Sequence, residues 1–124
     1  MKRTVLLVDD ERHVVTVVGK MLEQRDFRVI SASSGEEALA ILEDITPDLA
    51  LLDIVLPGID GATLAQRLRA HPATEKTPII FLTGLVEVAE VRRSGNRIGG
   101  QYFLAKPFDS TELFEVIDRA MSEV

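Results

Sequence analysis

The chain has 124 residues, 46% of them hydrophobic and 27% charged, with a formal charge of −6 and no cysteine. That size suits one domain with a proper core, and the missing thiols exclude a disulfide framework, a cysteine nucleophile and a cysteine-based zinc site, as fits a reducing, cytoplasmic setting. The negative balance argues against direct nucleic-acid binding, and no apolar stretch approaches the ~18 residues of a membrane span.

Val5-Leu6-Leu7-Val8 reads as a first strand, too short for the apolar core of a signal peptide, and it stops at Asp9, Asp10 and Glu11. Glu11 to about Arg25 places Val14, Val17, Val18, Met21 and Leu22 at helical spacing. "FRVISA" is a second strand. "SSGEEALAILED" is a second helix, with Ser34 and Glu37 in the capping-box pattern. "DLALLDI" gives a third strand, "LPGIDG" a turn, and Ala62 to Ala70 a third helix. After the polar loop "HPATEKTP" come a fourth strand, "IIFLT", and a weaker helix from Val86 to about Ile98 that contains Gly95. "QYFLA" is a fifth strand, and Asp109 or Ser110 caps a last helix, with Glu112 placed to complete the cap. Arg92, Arg93 and Arg97 read as one solvated helix face, and His13 and His71 as exposed without metal-ligand pairing.

Five strand-then-helix units predict an α/β domain, and the unbroken apolar runs predict a parallel sheet covered on both faces. The natural architecture is a flavodoxin-like, doubly wound sheet of order 2-1-3-4-5, with one domain over residues 1–124 and none after the last helix. Ligands of such sheets bind outside the carboxyl ends of the strands, at the point where strand order reverses. There the order brings together Asp9 and Asp10, Asp53, Thr83 and Lys106-Pro107. Three crowded carboxylates repel by roughly 4 kcal/mol per pair at ~4 Å and an effective dielectric of 20. One lysine cannot offset that, whereas Mg²⁺ can, using one or two carboxylates, water and a phosphoryl oxygen. A carboxylate beside Mg²⁺, an ammonium and a hydroxyl is the equipment for forming an aspartyl phosphate.

"VDDE", "LLDIVLPGIDG", "FLTG" and "FLAKPF", in this order and at these spacings, resemble the receiver domain of two-component response regulators over the whole chain. The resemblance implies that Asp53 is the phosphoacceptor, Asp10 a direct Mg²⁺ ligand, Asp9 an outer partner, and the Val55 carbonyl the completion of the metal site. It implies that Thr83 and Lys106 hold the phosphoryl group, that Lys106-Pro107 is a cis peptide, and that Thr83 and Phe103 form the output switch. The implied partners are a sensor histidine kinase or phosphotransfer protein and an output protein or domain. The fourth helix, fifth strand and fifth helix would signal to that output, and a dimer would form through the same face.

Two positions depart from the pattern. Phe103 offers no hydroxyl to mark the switched state, with Tyr102 displaced by one. Val55 and Leu85, two residues after Asp53 and Thr83, are apolar where polar groups could orient an attacking water, so slow loss of the phosphoryl group is expected. A Mg²⁺-dependent phosphohydrolase is the rival enzyme reading; it would carry a second Asp at position 55. An FMN carrier would need a Ser/Thr/Gly-rich loop where this chain has Asp9-Asp10-Glu11, and a receiver that only binds partners would not need the acceptor, acids, Thr and Lys together. On its own, Glu11 reads as a first-turn residue of the first helix.

Overall fold

The computed structural model describes residues 2–84, 88–98 and 100–123, with Val88 described by its backbone alone. In chain order the elements are β1 (Thr4–Val8), α1 (Arg12–Gln24), β2 (Arg28–Ala32), α2 (Gly35–Leu42), β3 (Leu49–Asp53) and α3 (Gly61–Ala70). They continue with β4 (Ile79–Thr83), α4 (Val88–Arg93), β5 (Arg97–Ile98), β6 (Gln101–Ala105) and α5 (Ser110–Ser122). They form one sheet of order β2-β1-β3-β4-β6-β5, parallel throughout except for the β5–β6 pair.

Strand periodicity divides the core into two layers. Along β1, Val5 and Leu7 face the layer shared with Leu22 of α1 and with Leu113, Val116 and Ile117 of α5. Leu6 and Val8 face Ala38 of α2 and Leu64 and Leu68 of α3. β3 and β4 are buried along their whole length, as strands covered on both faces must be. This bears out the expected architecture, including the placement of β1 between β2 and β3.

Helix starts follow their caps. Ser34, Asp60 and Asp109 accept the N–H groups of Glu37, Thr63 and Glu112 at 3.1, 2.8 and 2.9 Å. The capping-box reading is corrected in its second half. The Glu37 carboxylate accepts the Ser33 hydroxyl at 2.9 Å, and the Glu112 carboxylate turns away to α4.

The larger correction is a sixth strand. The fourth helix ends at Arg93 rather than near Ile98, because Gly95 and Asn96 take positive φ of 71° and 62°, which no helix continues through. The chain then doubles back, and Arg97–Ile98 pair antiparallel with Gln101–Tyr102. Arg97 therefore leaves the helix face expected for it and pairs with Glu123, while Arg92 pairs with Glu112. Leu85 and Val86 lie outside the described residues. Among those described, no helix is long and apolar enough to cross a membrane.

Candidate functional site

The parallel register carries three acids to one edge. The Asp9 N–H donates to the Ala32 carbonyl at 3.1 Å, extending the β1–β2 ladder by one residue and turning the Asp9 side chain inward, where it is 1% exposed. Its Oδ1 accepts the Glu11 N–H at 2.9 Å, which starts α1. Asp53 closes β3 opposite Leu82 and is 5% exposed, with Oδ1 accepting the Val55 N–H at 3.2 Å. Asp10 is exposed. One oxygen each from Asp9, Asp10 and Asp53 lie within 4.8 Å of one another.

Lys106 reaches the same place from the end of β6. Its N–H donates to the Thr83 carbonyl at 2.8 Å, and the Lys106-Pro107 bond is cis, as expected. Its Nζ lies 2.8 Å from Asp9 Oδ2, 3.2 Å from Glu11 Oε1 and 3.3 Å from Asp53 Oδ2. Thr83 ends β4 beside Ala105 and is 2% exposed. Asp9, Asp10, Asp53, Thr83 and Lys106 thus gather at adjacent strand ends. Val55 stands at the mouth, 57% exposed. Phe103 lies on the α2/α3 side of the sheet with its ring 5.4 Å from Phe81, while Tyr102 faces the opposite layer. Leu85 lies outside the described residues.

Two contributors were not read from the sequence. Glu11 does stand at the start of α1, but its carboxylate also reaches Lys106 across the site. Gly61 lies directly behind Asp53: a Cβ there would come 2.9 Å from the Ile54 Cα and closer still to the Asp53 carbonyl. "GIDG" signals a turn and a cap, and only the chain's return to β3 gives its second glycine this role.

Burial, then the charge of Asp9, pushes the Asp53 carboxyl above the usual carboxylate range, and Lys106 does not fully reverse it. For Lys106, burial opposes the charge, but the adjoining carboxylates, Asp9 first and then Asp53 and Glu11, together outweigh it and raise the ammonium's pKa. Asp9 Oδ2 has this ionic neighbour, yet the contact is not aligned as a hydrogen bond, leaving a buried oxygen short of a donor. An all-oxygen donor set with one such oxygen and an excess of negative charge fits a hard divalent cation. Beside it, Lys106 can hold an oxyanion.

The family model for the response regulator receiver domain matches residues 5–118. The phosphate regulon transcriptional regulatory protein PhoB of Rhizobium meliloti (strain 1021) is 37% identical over 124 residues, covering 97% of this chain and 54% of PhoB. The chain spans about half the length of the curated relatives it matches, 42% in the case of the transcriptional regulator ycf27 of Guillardia theta. Among solved structures, the receiver domain of the sensor histidine kinase PA1611 from Pseudomonas aeruginosa PAO1 superposes with a TM-score of 0.81, at 31% identity over 98% of this chain and 99% of that one. It holds a magnesium ion in its active-site cleft. Chemotaxis protein CheY4 of Vibrio cholerae gives 0.82 at 28% identity, covering 97% and 99%. On its fold, its acid–lysine cluster and these matches, the chain belongs to the response regulator receiver domain family, the phosphorylation-signalling modules of two-component systems.

Proposed function

We propose that the chain is a phosphorelay switch that accepts a phosphoryl group on Asp53 in a Mg²⁺-dependent reaction. The observation that carries this reading is the convergence of Asp9, Asp10 and Asp53 on one point with Lys106 Nζ alongside. Asp10 and Asp53, the Val55 carbonyl and, from outside, Asp9 would hold the ion. When bound, Mg²⁺ offsets the repulsion among the carboxylates and draws charge from the phosphoryl oxygens.

An Asp53 carboxylate oxygen attacks phosphorus of a phosphohistidine in line. The new O–P bond forms as the P–N bond breaks, and the imidazole leaves with the electron pair and takes a proton. Lys106, freed from Asp53, pairs with an equatorial phosphoryl oxygen, and the Thr83 hydroxyl donates to another. The donor is a sensor histidine kinase or phosphotransfer protein, and the recipient of the signal is an output protein or a further domain. Thr83 and Phe103 transmit the change to the surface of α4, β6 and α5, through which a dimer would also form. The exposed apolar side chain of Val55 crowds the approach of water, so the acyl phosphate is long-lived; Val55→Asn should hasten its decay, followed by intact mass, and an unchanged lifetime counts against this role.

The central test is incubation with acetyl phosphate and Mg²⁺, then intact mass and peptide mapping. One phosphoryl adduct on Asp53, absent from Asp53→Asn, is expected. No adduct on the wild type, or one formed at the same rate in Asp53→Asn, overturns the reading.

A further inference from the structure

Three carboxylates compete for one ammonium, and only two of them are needed by the metal. Asp9 and Asp53 offer Oδ2 to Lys106 at 2.8 and 3.3 Å, so Lys106 and a divalent cation draw on the same pair of residues. A cation bound there repels Lys106 and weakens both contacts. Glu11 is different. Its Oε1 lies 3.2 Å from Nζ, while its carboxylate stands outside the acid triad and is 62% exposed. Glu11 is the N-cap residue of α1, yet its side chain makes no cap hydrogen bond, so the carboxylate is not committed to the helix. The Asp9 carboxylate accepts the Glu11 N–H, which fixes the Glu11 backbone beside the site.

We infer that Glu11 is a positioning residue: it takes over Lys106 when a divalent cation claims Asp9 and Asp53, and so eases metal entry. The inference rests on the metal reading above and assigns the next residue of the acidic run a distinct task. Lys106, once turned toward Glu11, remains at the rim, where an arriving phosphoryl oxygen can collect it. Because Glu11 is exposed, its contact is screened by solvent and its effect is modest.

The test is a double-mutant cycle on Mg²⁺ affinity, read by isothermal titration calorimetry at fixed pH and ionic strength on the full chain. Glu11→Gln should weaken Mg²⁺ binding by about two- to five-fold, the range of an exposed ion pair. Lys106→Met should strengthen it, since the competitor is gone. In the Lys106→Met background, Glu11→Gln should lose most of its effect. An equal weakening in both backgrounds would mean that Glu11 acts on the ion only through its own charge, and the inference fails. It fails as well if Glu11→Gln binds Mg²⁺ as the wild type does. If the wild type binds no Mg²⁺ at all, the metal reading falls first and takes this one with it. Unfolding curves of the variants confirm that each is folded, and binding by Lys106→Met alone keeps the two failures apart.

Discussion

The acid cluster sits at the centre of the sheet and the α4–β5 segment at one edge, and opposite kinds of contact hold them. Asp9 and Asp53 extend from β1 and β3, and residues Val5–Val8 and Leu49–Asp53 are all buried. α4 and β5 bring one buried apolar side chain among those described, Val91, and otherwise rely on polar contacts. Arg92 forks onto Glu112 at 2.9 and 3.2 Å, Asn96 donates to the Phe103 carbonyl and to Glu112, Arg97 pairs with Glu123, and Arg119 donates to the Gly95 carbonyl. Exposed ion pairs exchange for water at little cost, whereas a buried strand cannot shift without opening a cavity. The acid cluster therefore sits on the part of the molecule that resists movement, and the segment at the sheet edge can rearrange cheaply.

Breaking the rigid half should have the largest effect. Leu51 is fully buried in the middle of β3, two residues before Asp53. Leu51→Ala should cost about 2–5 kcal/mol in urea unfolding. A loss below ~1 kcal/mol would mean that β3 is not the anchor described. Gly61→Ala comes next and has a sign that can be argued either way. Alanine favours a helix over glycine by ~1 kcal/mol, so a first-turn substitution in α3 would stabilise if space allowed. The atoms in the way belong to the Asp53 and Ile54 backbone, which cannot swing aside as a side chain can. A net loss of roughly 1–3 kcal/mol is expected, together with slower phosphoryl uptake by the variant under conditions where it stays folded. A more stable Gly61→Ala with wild-type uptake would show that the close approach carries no weight.

The same contrast governs what could be read in advance. The buried strands announce themselves as apolar runs, and the strand order expected from them places Asp9, Asp10, Asp53, Thr83 and Lys106 together. The β5 turn was harder to see, since Val88, Val91 and Arg92 keep helical spacing and Gly95 resembles a tolerated helix glycine. The stronger signal is Gly99-Gly100, two glycines between short runs and a common hairpin link. Glu11 was missed for another reason. Its partner, Lys106, lies 95 residues away, and no local pattern encodes an encounter of that kind.

The polar half is best probed through Glu112, whose side chain is 12% exposed and meets Arg92 and Asn96. The hydrogen bond from Arg92 is the main cause that holds its carboxyl below the usual range, with Asn96 adding to it against the cost of burial. A carboxyl that binds its proton less readily when folded adds stability above its unfolded pKa, and that stability is lost as pH falls through the folded value. Glu112→Gln keeps the shape and an acceptor oxygen but removes the charge. At neutral pH it should be less stable than the wild type by only roughly half a kcal/mol, because Arg92 is open to solvent. The gap should close on acidification below the ordinary glutamate range, and raising the salt concentration should narrow it at neutral pH. Urea unfolding of both proteins at a series of pH values measures it. A gap that stays constant or widens in acid would mean that the contacts between α4 and α5 do not depend on the Glu112 charge, and the α4–β5 segment would then be held by its hydrogen bonds alone.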